Sequence, residues 1–277
     1  MKRIIYLMVV VGAIWACKSG NESGNNKELA AIAVDSVSFK QESAPHFTKE
    51  GDTLISSIDI VYPKLTGGDE AVITKINNYM ANLPIQGLNS VVDPEGSPEA
   101  NTSKSLDNAA KAFFASVTDA QKEMPDAPNM VYTYEALGDT MLISPSVISL
   151  YYNEATYTGG AHGNYNTFFY NFDATTGNLL THADFIKDTL ALNKLAEIKF
   201  KEEETSMAKE NGMEFKMEDY FFPGGKFILP NNIGITKQGL RLLYNPYEVA
   251  SYARGMIILD IPWRELKGIV VEKYIGQ

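Results

Sequence analysis

Most of the sequence consists of short strand-like segments that follow one another, and this order limits the fold more than any other feature. Within residues 54–62, Ile58, Ile60 and Tyr62 share one face and Asp59 lies opposite, which is the two-residue period of a half-buried strand. Comparable runs lie at residues 34–39, 130–135, 140–143, 146–152, 166–172, 227–235, 240–244 and 256–261. Neighbouring strands that outnumber the helices predict an α+β fold with antiparallel sheets rather than a doubly wound parallel sheet.

Three segments have the 3.6-residue period of amphipathic helices. They are residues 69–83, ending before Pro84, residues 105–122, and a segment that begins near Asp188. Residues 86–102 contain prolines and glycine and predict a loop. We therefore expect two or three helices packed on the sheets, in two tightly associated subdomains of residues 34–150 and 151–277.

Two shorter patterns give local predictions. Asn245-Pro246-Tyr247-Glu248 has the parts of a helix start, with Asn245 as the N-cap. On the third helix, Leu192, Leu195, Ile198 and Phe200 are expected to face inward, whereas residues 199–211 are dense in charge. Adjacent residues of a helix point in different directions, so the run Glu202–Glu204 is interpreted as an exposed face rather than a cation site.

The N-terminus has the pattern of an export signal. Residues 1–16 contain Lys2 and Arg3, then an apolar run of about 12 residues, which is short of the roughly 20 that span a bilayer. Ile14-Trp15-Ala16-Cys17 resembles a bacterial lipobox, which predicts cleavage before Cys17 and lipidation of its thiol. The alternative is an incidental cysteine beside an ordinary cleavage site. Residues 17–33 begin with a polar, Gly/Ser/Asn-rich stretch and are interpreted as a flexible tether.

Composition excludes several classes of protein. The chain of 277 residues has 24 Lys plus Arg against 34 Asp plus Glu, a formal charge of −10, which disfavours nucleic-acid binding. Hydrophobic residues at 45% are enough for a globular core. The single cysteine excludes an intramolecular disulfide and any multi-cysteine zinc site. We expect no cofactor.

Motifs for catalysis are few. The chain has no G-x-S-x-G motif and only three histidines, of which His46 lies in a polar loop. His162 and His182, with Asp173 and Asp184, could supply metal ligands, but a structural histidine is commoner, and Asp184 is expected to cap a turn before Phe185. No catalytic residue and no metal site is predicted.

The segment around His162 is the predicted binding region. Tyr157 to Gly163 reads Y-T-G-G-A-H-G, and its glycines allow either positive φ angles or close approach of another chain. Aromatic residues flank it, and consecutive Phe168, Phe169 and Tyr170 cannot all face one core. Aromatics in strands are usually core residues, and the alternative is a platform for sugars or a protein. The candidate binding residues are Tyr157, Gly159, Gly160, His162, Tyr165 and Phe169.

At this point the sequence resembles a known family. Tyr157–His162, followed by Asn171-Phe172-Asp173 and Thr176-Gly177, and later Tyr244–Ala250, is similar to the bacterial extracytoplasmic domain of unknown function 3298 (DUF3298). Residues 60–65, I-V-Y-P-K-L, resemble more weakly its partner domain, DUF4163. The resemblance covers about residues 35–270.

The resemblance implies an α+β body in the cell envelope. The two domains occur together in RsiV, an anti-sigma factor that senses lysozyme, and beside the catalytic domain of peptidoglycan deacetylases such as PdaC. Most members have no assigned activity. This sequence shows neither a sigma-binding part nor a deacetylase catalytic domain, so it resembles the accessory module alone.

These observations together favour a non-enzymatic, lipid-anchored envelope protein, placed in the outer membrane if the source is Gram-negative. Its expected role is to bind or sense a cell-wall glycan or an envelope-active protein, such as the cationic protein lysozyme. The alternative is an envelope hydrolase with a site near His162. A deep pocket with convergent polar groups there would favour the enzyme, and a broad aromatic surface would favour binding.

Overall fold

A computed structural model describes residues 30–47, 51–96, 103–124 and 130–275. The predicted signal peptide, Cys17 and the tether up to residue 29 lie outside the described residues. None of the helices within the described part of the chain is long and apolar enough to cross a membrane.

The described chain folds into ten strands, four α-helices and several short 3-10 turns. The strands are β1 (Ala33–Glu42), β2 (His46–Phe47), β3 (Thr53–Leu54), β4 (Ser57–Thr66), β5 (Thr133–Ile143), β6 (Val147–Tyr157), β7 (Asn164–Asp173), β8 (Asn232–Ile235), β9 (Gly239–Tyr244) and β10 (Ile257–Pro262). The helices are α1 (Glu70–Val92), α2 (Leu106–Glu123), α3 (His182–Phe185) and α4 (Thr189–Glu210). The predicted α+β class with two or three packed helices is confirmed.

The strands form two main sheets. The larger has the order β1-β4-β5-β6-β7, the smaller has the order β10-β9-β8, and β2 and β3 form a separate pair. Neighbouring strands are antiparallel, as predicted, except that β4 and β5 are parallel. The exception follows from the chain order, because α1 and α2 lie between these two strands and return the chain to the same end of the sheet.

Helix α1 is longer than predicted. It begins at the N-cap Asp69, whose side chain accepts hydrogen bonds from Ala71 N and Val72 N, but it continues through Pro84 to Val92. The predicted loop at 86–102 is therefore wrong for its first seven residues. Proline interrupts a helical hydrogen bond, and burial of the apolar residues on both sides of it, among them Leu83 and Leu88, compensates.

The described residues form two hydrophobic cores, one packed on each main sheet. The first fills the space between α1, α2 and one face of the five-stranded sheet, and the second lies between α4 and the outer face of the three-stranded sheet. Strand β6 contributes to both, with Val147 in the second core and Ile148 in the first. The predicted subdomain division at residue 150 falls inside this strand.

Asparagine side chains join the two sheets. Asn245 Oδ1 accepts from Thr167 N at 2.8 Å, and Asn232 Oδ1 accepts from Phe169 N at 2.8 Å. In the opposite direction, Asn171 on β7 donates to Ile233 O and accepts from Ile235 N, both at 2.8 Å. These amides take the place of a neighbouring strand at the edge of β7 and so join the two sheets closely. Strands β7, β8 and β9 all belong to the predicted subdomain of residues 151–277.

The helix predicted at Asn245-Pro246-Tyr247-Glu248 is absent, and this prediction is wrong. The segment forms turns after β9, and Asn245 is 5% exposed with its amide bonded to the backbone of Thr167. An N-cap residue would bond within its own helix, whereas this asparagine bonds to another sheet. The structural role predicted for Asn245 is therefore real, but its partner is the backbone of Thr167 and not the first turn of a helix.

On α4, the third predicted helix, the buried residues are not all those that the sequence predicted. Leu192 and Phe200 are buried as predicted, but Ile198 is 54% exposed. Glu202 and Glu203 are exposed, whereas Glu204, in the supposedly solvated end, is 2% exposed. Glu204 follows Phe200 by four residues and so lies on the same inward face.

Candidate functional site

The loop between β6 and β7 carries three of the six predicted binding residues, Gly159, Gly160 and His162, and Tyr157 ends β6 just before it. Tyr157 Oη donates to the carbonyl of Gly160 at 3.0 Å, which closes the loop on itself. Gly159 and Gly160 have φ angles of +89° and +94°, and a Cβ added to either glycine would have no neighbouring atom within 4 Å. Glycine is therefore needed at these positions because the turn requires positive φ angles, and not because another segment approaches closely.

His162, at the end of this loop, belongs to an aromatic cluster with Tyr165, Tyr247 and Tyr252. The His162 and Tyr252 rings stack, with centroids 3.9 Å apart and planes 18° apart. Tyr165 meets Tyr252 edge-on at 5.7 Å, and Tyr247 lies 5.6 Å from Tyr252. The cluster thus combines two predicted residues with two that the sequence analysis did not assign to the site.

Hydrogen bonds fix the cluster to the loop. Tyr252 Oη donates to the carbonyl of Gly163 at 2.8 Å, and His162 Nδ1 lies 2.9 Å from the same oxygen. Tyr247 Oη lies 3.5 Å from His162 Nε2. The polar atoms of His162 thus meet a carbonyl and a phenol, and no serine or threonine hydroxyl bonds to the ring within the described residues.

Tyr247 has an uncommon backbone conformation. Its φ is +69°, it is the one non-glycine residue with positive φ in the described chain, and 55% of it is exposed. Such backbone conformations are costly for residues with a Cβ and tend to occur where a side chain must be placed for function. The turn after β9 therefore presents the Tyr247 ring to solvent beside His162.

A buried ion pair holds the turn that carries Tyr252. Arg254 donates through Nε to Glu204 Oε2 at 2.8 Å and through NH2 to Glu204 Oε1, and Tyr220 also donates to this carboxylate. Burial of the Glu204 carboxylate is tolerated because the half-buried Arg254 neutralises its charge and both Arg254 and Tyr220 donate hydrogen bonds to it. Glu204 thereby connects α4 to the aromatic cluster, a role that its sequence setting in a run of three glutamates did not indicate.

A polar cleft of about 450 Å³ opens beside the aromatic cluster, and we call it the Glu154 cleft. Its walls come from the C-terminal part of α1, from β6 and β7, and from the turn after β9; they include Ser90, Glu154, Thr156, Asn164, Tyr165, Asn166, Phe168, Tyr247 and Tyr252. Burial raises the pKa of Glu154, and a hydrogen bond with Tyr134 partly offsets this effect. Among the described residues that form these walls, Glu154 has the one carboxyl group.

Two further grooves lie on the other face of the five-stranded sheet. The inter-sheet groove, of about 640 Å³, runs between β5–β7 and β9–β10, and Tyr151, Phe169 and Gln238 line it. The sheet-face groove, also of about 640 Å³, crosses the uncovered part of the same face. The two share Asn153, Thr167 and Met256 as walls and so form one extended groove.

Phe169 lies in this extended groove and not with His162. Along β7, Phe168, Tyr170 and Phe172 pack against the first core, whereas Phe169 points to the opposite face, as the two-residue period of a strand requires. The six predicted binding residues are therefore divided between two surfaces of the molecule. Tyr157, Gly159, Gly160, His162 and Tyr165 belong to the loop and the aromatic cluster.

The histidines and aspartates considered as metal ligands have separate structural roles. Asp184 accepts from Thr181 N and Thr181 Oγ1, both at 2.7 Å, which confirms the predicted cap before Phe185. His182 packs edge-on against Phe185 at 5.8 Å. In the part of the chain that the structure describes, no group of three or more His, Cys, Asp or Glu side chains is arranged to hold a metal ion.

The two halves of the chain match two domain families. Residues 49–165 match the model described as Deacetylase PdaC, and residues 183–264 match the model described as Protein of unknown function (DUF3298). The chain therefore carries a PdaC-like domain followed by a DUF3298 domain, which confirms the predicted order of these two. The DUF4163 assignment of the first domain and the likeness to RsiV stay predictions. The segment Tyr157–His162, which we assigned to DUF3298, falls within the PdaC-like match.

The whole fold also resembles two crystal structures of DUF3298 proteins. The member from Bacteroides fragilis has a TM-score of 0.64 at 19% identity, and the alignment covers 87% of this chain and 94% of that one. The protein from Pseudomonas aeruginosa has a TM-score of 0.57 at 14% identity, with 90% and 98% covered. At such low identity the likeness establishes the fold alone. A comparison with curated proteins finds no match.

Proposed function

We propose that this protein is a non-enzymatic envelope module that binds a cell-wall glycan in the extended groove. The observation that carries the proposal is the chemistry of the groove walls, where aromatic rings alternate with neutral amides and hydroxyls. Tyr151 and Phe169 supply rings, and Asn153, Thr167 and Gln238 supply polar groups. Amides and hydroxyls both donate and accept, as sugar hydroxyls require, and aromatic rings pack on the apolar faces of sugars.

The charges in the groove support a neutral ligand. Lys40 pairs with Asp59 at 2.6 Å, and Arg241 forms a two-point contact with Asp260 at 2.8 and 2.7 Å. These paired charges present a weak net field to a ligand, and the carboxyl groups of Glu135 and Glu154 at the sheet face disfavour an anionic one. Recognition of a neutral glycan therefore depends on hydrogen bonds and ring contacts. The groove is also open at the sheet face, which suits a polymer that continues beyond it.

The geometry favours binding over hydrolysis. Glycoside hydrolysis ordinarily uses two carboxyl groups about 5–9.5 Å apart, and the walls of the Glu154 cleft contain one. His162 contacts Tyr247, Tyr252 and the Gly163 carbonyl, none of which is the nucleophile of a Ser-His or Cys-His pair. An envelope hydrolase with a site near His162 is the alternative function.

The proposal includes export and lipid anchoring at Cys17. Its support is the N-terminal sequence pattern, in which a charged start and a short apolar run precede a lone cysteine. A lipid at Cys17 would hold the glycan-binding body close to the membrane, and in the outer membrane if the source has two.

The test is calorimetric titration of the purified protein with the hexamer of N-acetylglucosamine and with cellohexaose. We expect measurable binding to at least one, weakened at least tenfold in Tyr151→Ala, because this substitution removes a ring from the groove wall. Tyr247→Ala is the matched control, since it removes an exposed ring outside the extended groove. Retained binding in Tyr151→Ala, or no binding at millimolar glycan, would refute the proposal.

The same assay includes C-type lysozyme at low and moderate salt, because the chain is acidic and the resemblance points to this class of partner. If lysozyme binds at moderate salt and neither glycan binds, the ligand is a cationic protein and the glycan proposal is wrong.

A further inference from the structure

Glu154 is the one charged group among the described residues that line the Glu154 cleft, and its hydrogen-bond partner Tyr134 carries no opposite charge. In the part of the chain that the structure describes, no lysine, arginine or histidine lines the cleft. Burial raises the pKa of Glu154, and its hydrogen bond with Tyr134 lowers it in part. Among the described residues, no cation forms an ion pair with this carboxylate. Partly buried carboxylates without a counter-charge are costly, so their presence in a cleft points to a cation supplied from outside.

The surrounding backbone is built to hold this carboxylate in place. Helix α1 passes directly over Glu154 at Gly87, where an added Cβ would lie 2.5 Å from Glu154 Oε1 and overlap the hydroxyl of Tyr134. The Tyr134 hydroxyl in turn lies 3.3 Å from Tyr152 Oη. The carboxylate is thus confined between the helix and two buried tyrosines, with the cleft as its open side.

Aromatic residues also line the same cleft. Tyr165, Tyr247 and Tyr252 all line it, and the edge-on contact of Tyr165 with Tyr252 turns their faces in different directions. The face of an aromatic ring carries negative electrostatic potential and attracts organic cations within about 6 Å. A cleft lined by several aromatic residues and one carboxylate is a usual environment for an organic ammonium group.

We propose that the Glu154 cleft binds an organic ammonium group, with Glu154 as its counter-charge and Tyr165, Tyr247 and Tyr252 as its aromatic walls. The ligand class is an amino sugar with a free amino group, because Ser90, Thr156 and Asn166 in the same walls offer hydrogen bonds to sugar hydroxyls. This inference goes beyond the proposed function, and it stands even if the extended groove binds no glycan.

The first experiment isolates the effect of charge. The purified protein is titrated with choline and with 3,3-dimethyl-1-butanol, which has nearly the same shape and no charge, and binding is followed by NMR or calorimetry. We expect choline to bind at least tenfold more tightly. Equal affinities, or no binding of choline at tens of millimolar, would overturn the proposal.

Three variants locate the effect in the cleft. Glu154→Gln is expected to lower choline affinity at least tenfold, and Tyr247→Leu at least threefold, with Tyr247 chosen because its exposed ring makes little contribution to a core. The matched control is Glu135→Gln, which removes an exposed carboxylate from the sheet-face groove. An effect of Glu135→Gln equal to that of Glu154→Gln would show a general field effect and overturn the assignment.

The last experiment tests which class of molecule carries the ammonium group that binds. We expect glucosamine to bind more tightly than N-acetylglucosamine, since acetylation removes the positive charge, and the preference should disappear in Glu154→Gln. If an amino-blocked lysine amide binds more tightly than glucosamine, the assignment to an amino sugar is overturned. The glycan titrations with Tyr151→Ala test the inter-sheet groove, which shares no wall residue with the Glu154 cleft, so the two proposals fail independently.

Discussion

At the scale of single residues, Glu154 departs most clearly from what its sequence setting indicates. It lies on β6 between Asn153 and Ala155, and alternation places it on the face of the sheet that packs against α1. Burial there raises its pKa, because the surroundings disfavour the charged form. A glutamine in the same place would avoid this cost, so the carboxylate is unfavourable for folding and suited to binding.

The first prediction follows from that pKa. Because the folded-state value is raised above the ordinary value of 4.5, ionisation of Glu154 lowers stability as the pH rises through the folded-state value. Glu154→Gln should therefore raise the free energy of unfolding at pH 7, and the gain should shrink toward zero below pH 4.5. Urea unfolding of both proteins at pH 4 and pH 7 measures it, and an unchanged or negative difference at pH 7 would contradict the prediction.

At the scale of elements, the edge of β7 determines how the two sheets meet. Edge strands leave backbone groups unpaired, and here asparagine amides from β8 and from the turn after β9 satisfy them. The contact is close because Gly234 on β8 has no side chain, and a Cβ there would lie 2.9 Å from the ring of Phe169. The inter-sheet part of the extended groove lies beside this contact, with residues of β9 and β10 in its walls.

The second prediction concerns Asn171, which is 4% exposed and bonds to Ile233 O, Ile235 N and Ser149 Oγ. Asn171→Ala leaves these groups without their partner, at a cost of about 2–4 kcal/mol in the free energy of unfolding. Urea denaturation measures the loss.

The matched control for this substitution is Asn164→Ala, at the exposed start of the same strand, with an expected change within about 0.5 kcal/mol. If Asn171→Ala lowers the free energy of unfolding no more than the control does, the amide contacts do not stabilise the contact between the two sheets.

At the scale of the whole molecule, the N-terminal sequence and the folded body are expected to act separately. The body has two cores of its own, and the first described residues, from Ala30, precede β1 at the edge of the larger sheet. A lipid at Cys17 would thus attach to the chain well before the first strand and would not contribute to either core.

The third prediction is that Cys17→Ala leaves the body folded and releases it from membranes, because Cys17 is the one cysteine available for lipidation. Fractionation after salt and carbonate washing measures the release, and circular dichroism of the soluble variant checks the fold. Cys17→Ser is a second variant without a lipidated thiol and should behave alike. Equal membrane retention of variant and wild type would refute lipid anchoring.

Local patterns in the sequence predicted the elements well, because periodicity and capping depend on nearby residues. The strand alternation indicated the α+β class, Ser105 was correctly placed at the start of α2, and Asp184 caps its turn as expected. Pro84 was misleading, since its local cost is outweighed by burial on both sides of it.

Sequence patterns alone were enough to specify most of the secondary structure, many of the apolar faces and the position of a glycine-rich loop next to aromatic strands. Tertiary packing was needed to establish that Tyr252 stacks on His162, that Glu204 is buried with Arg254, and that Asn245 bonds to Thr167. These contacts join residues from about 50 to 90 positions apart. Such partners depend on how the sheets and helices pack against one another, which the periodicity of a single segment does not specify.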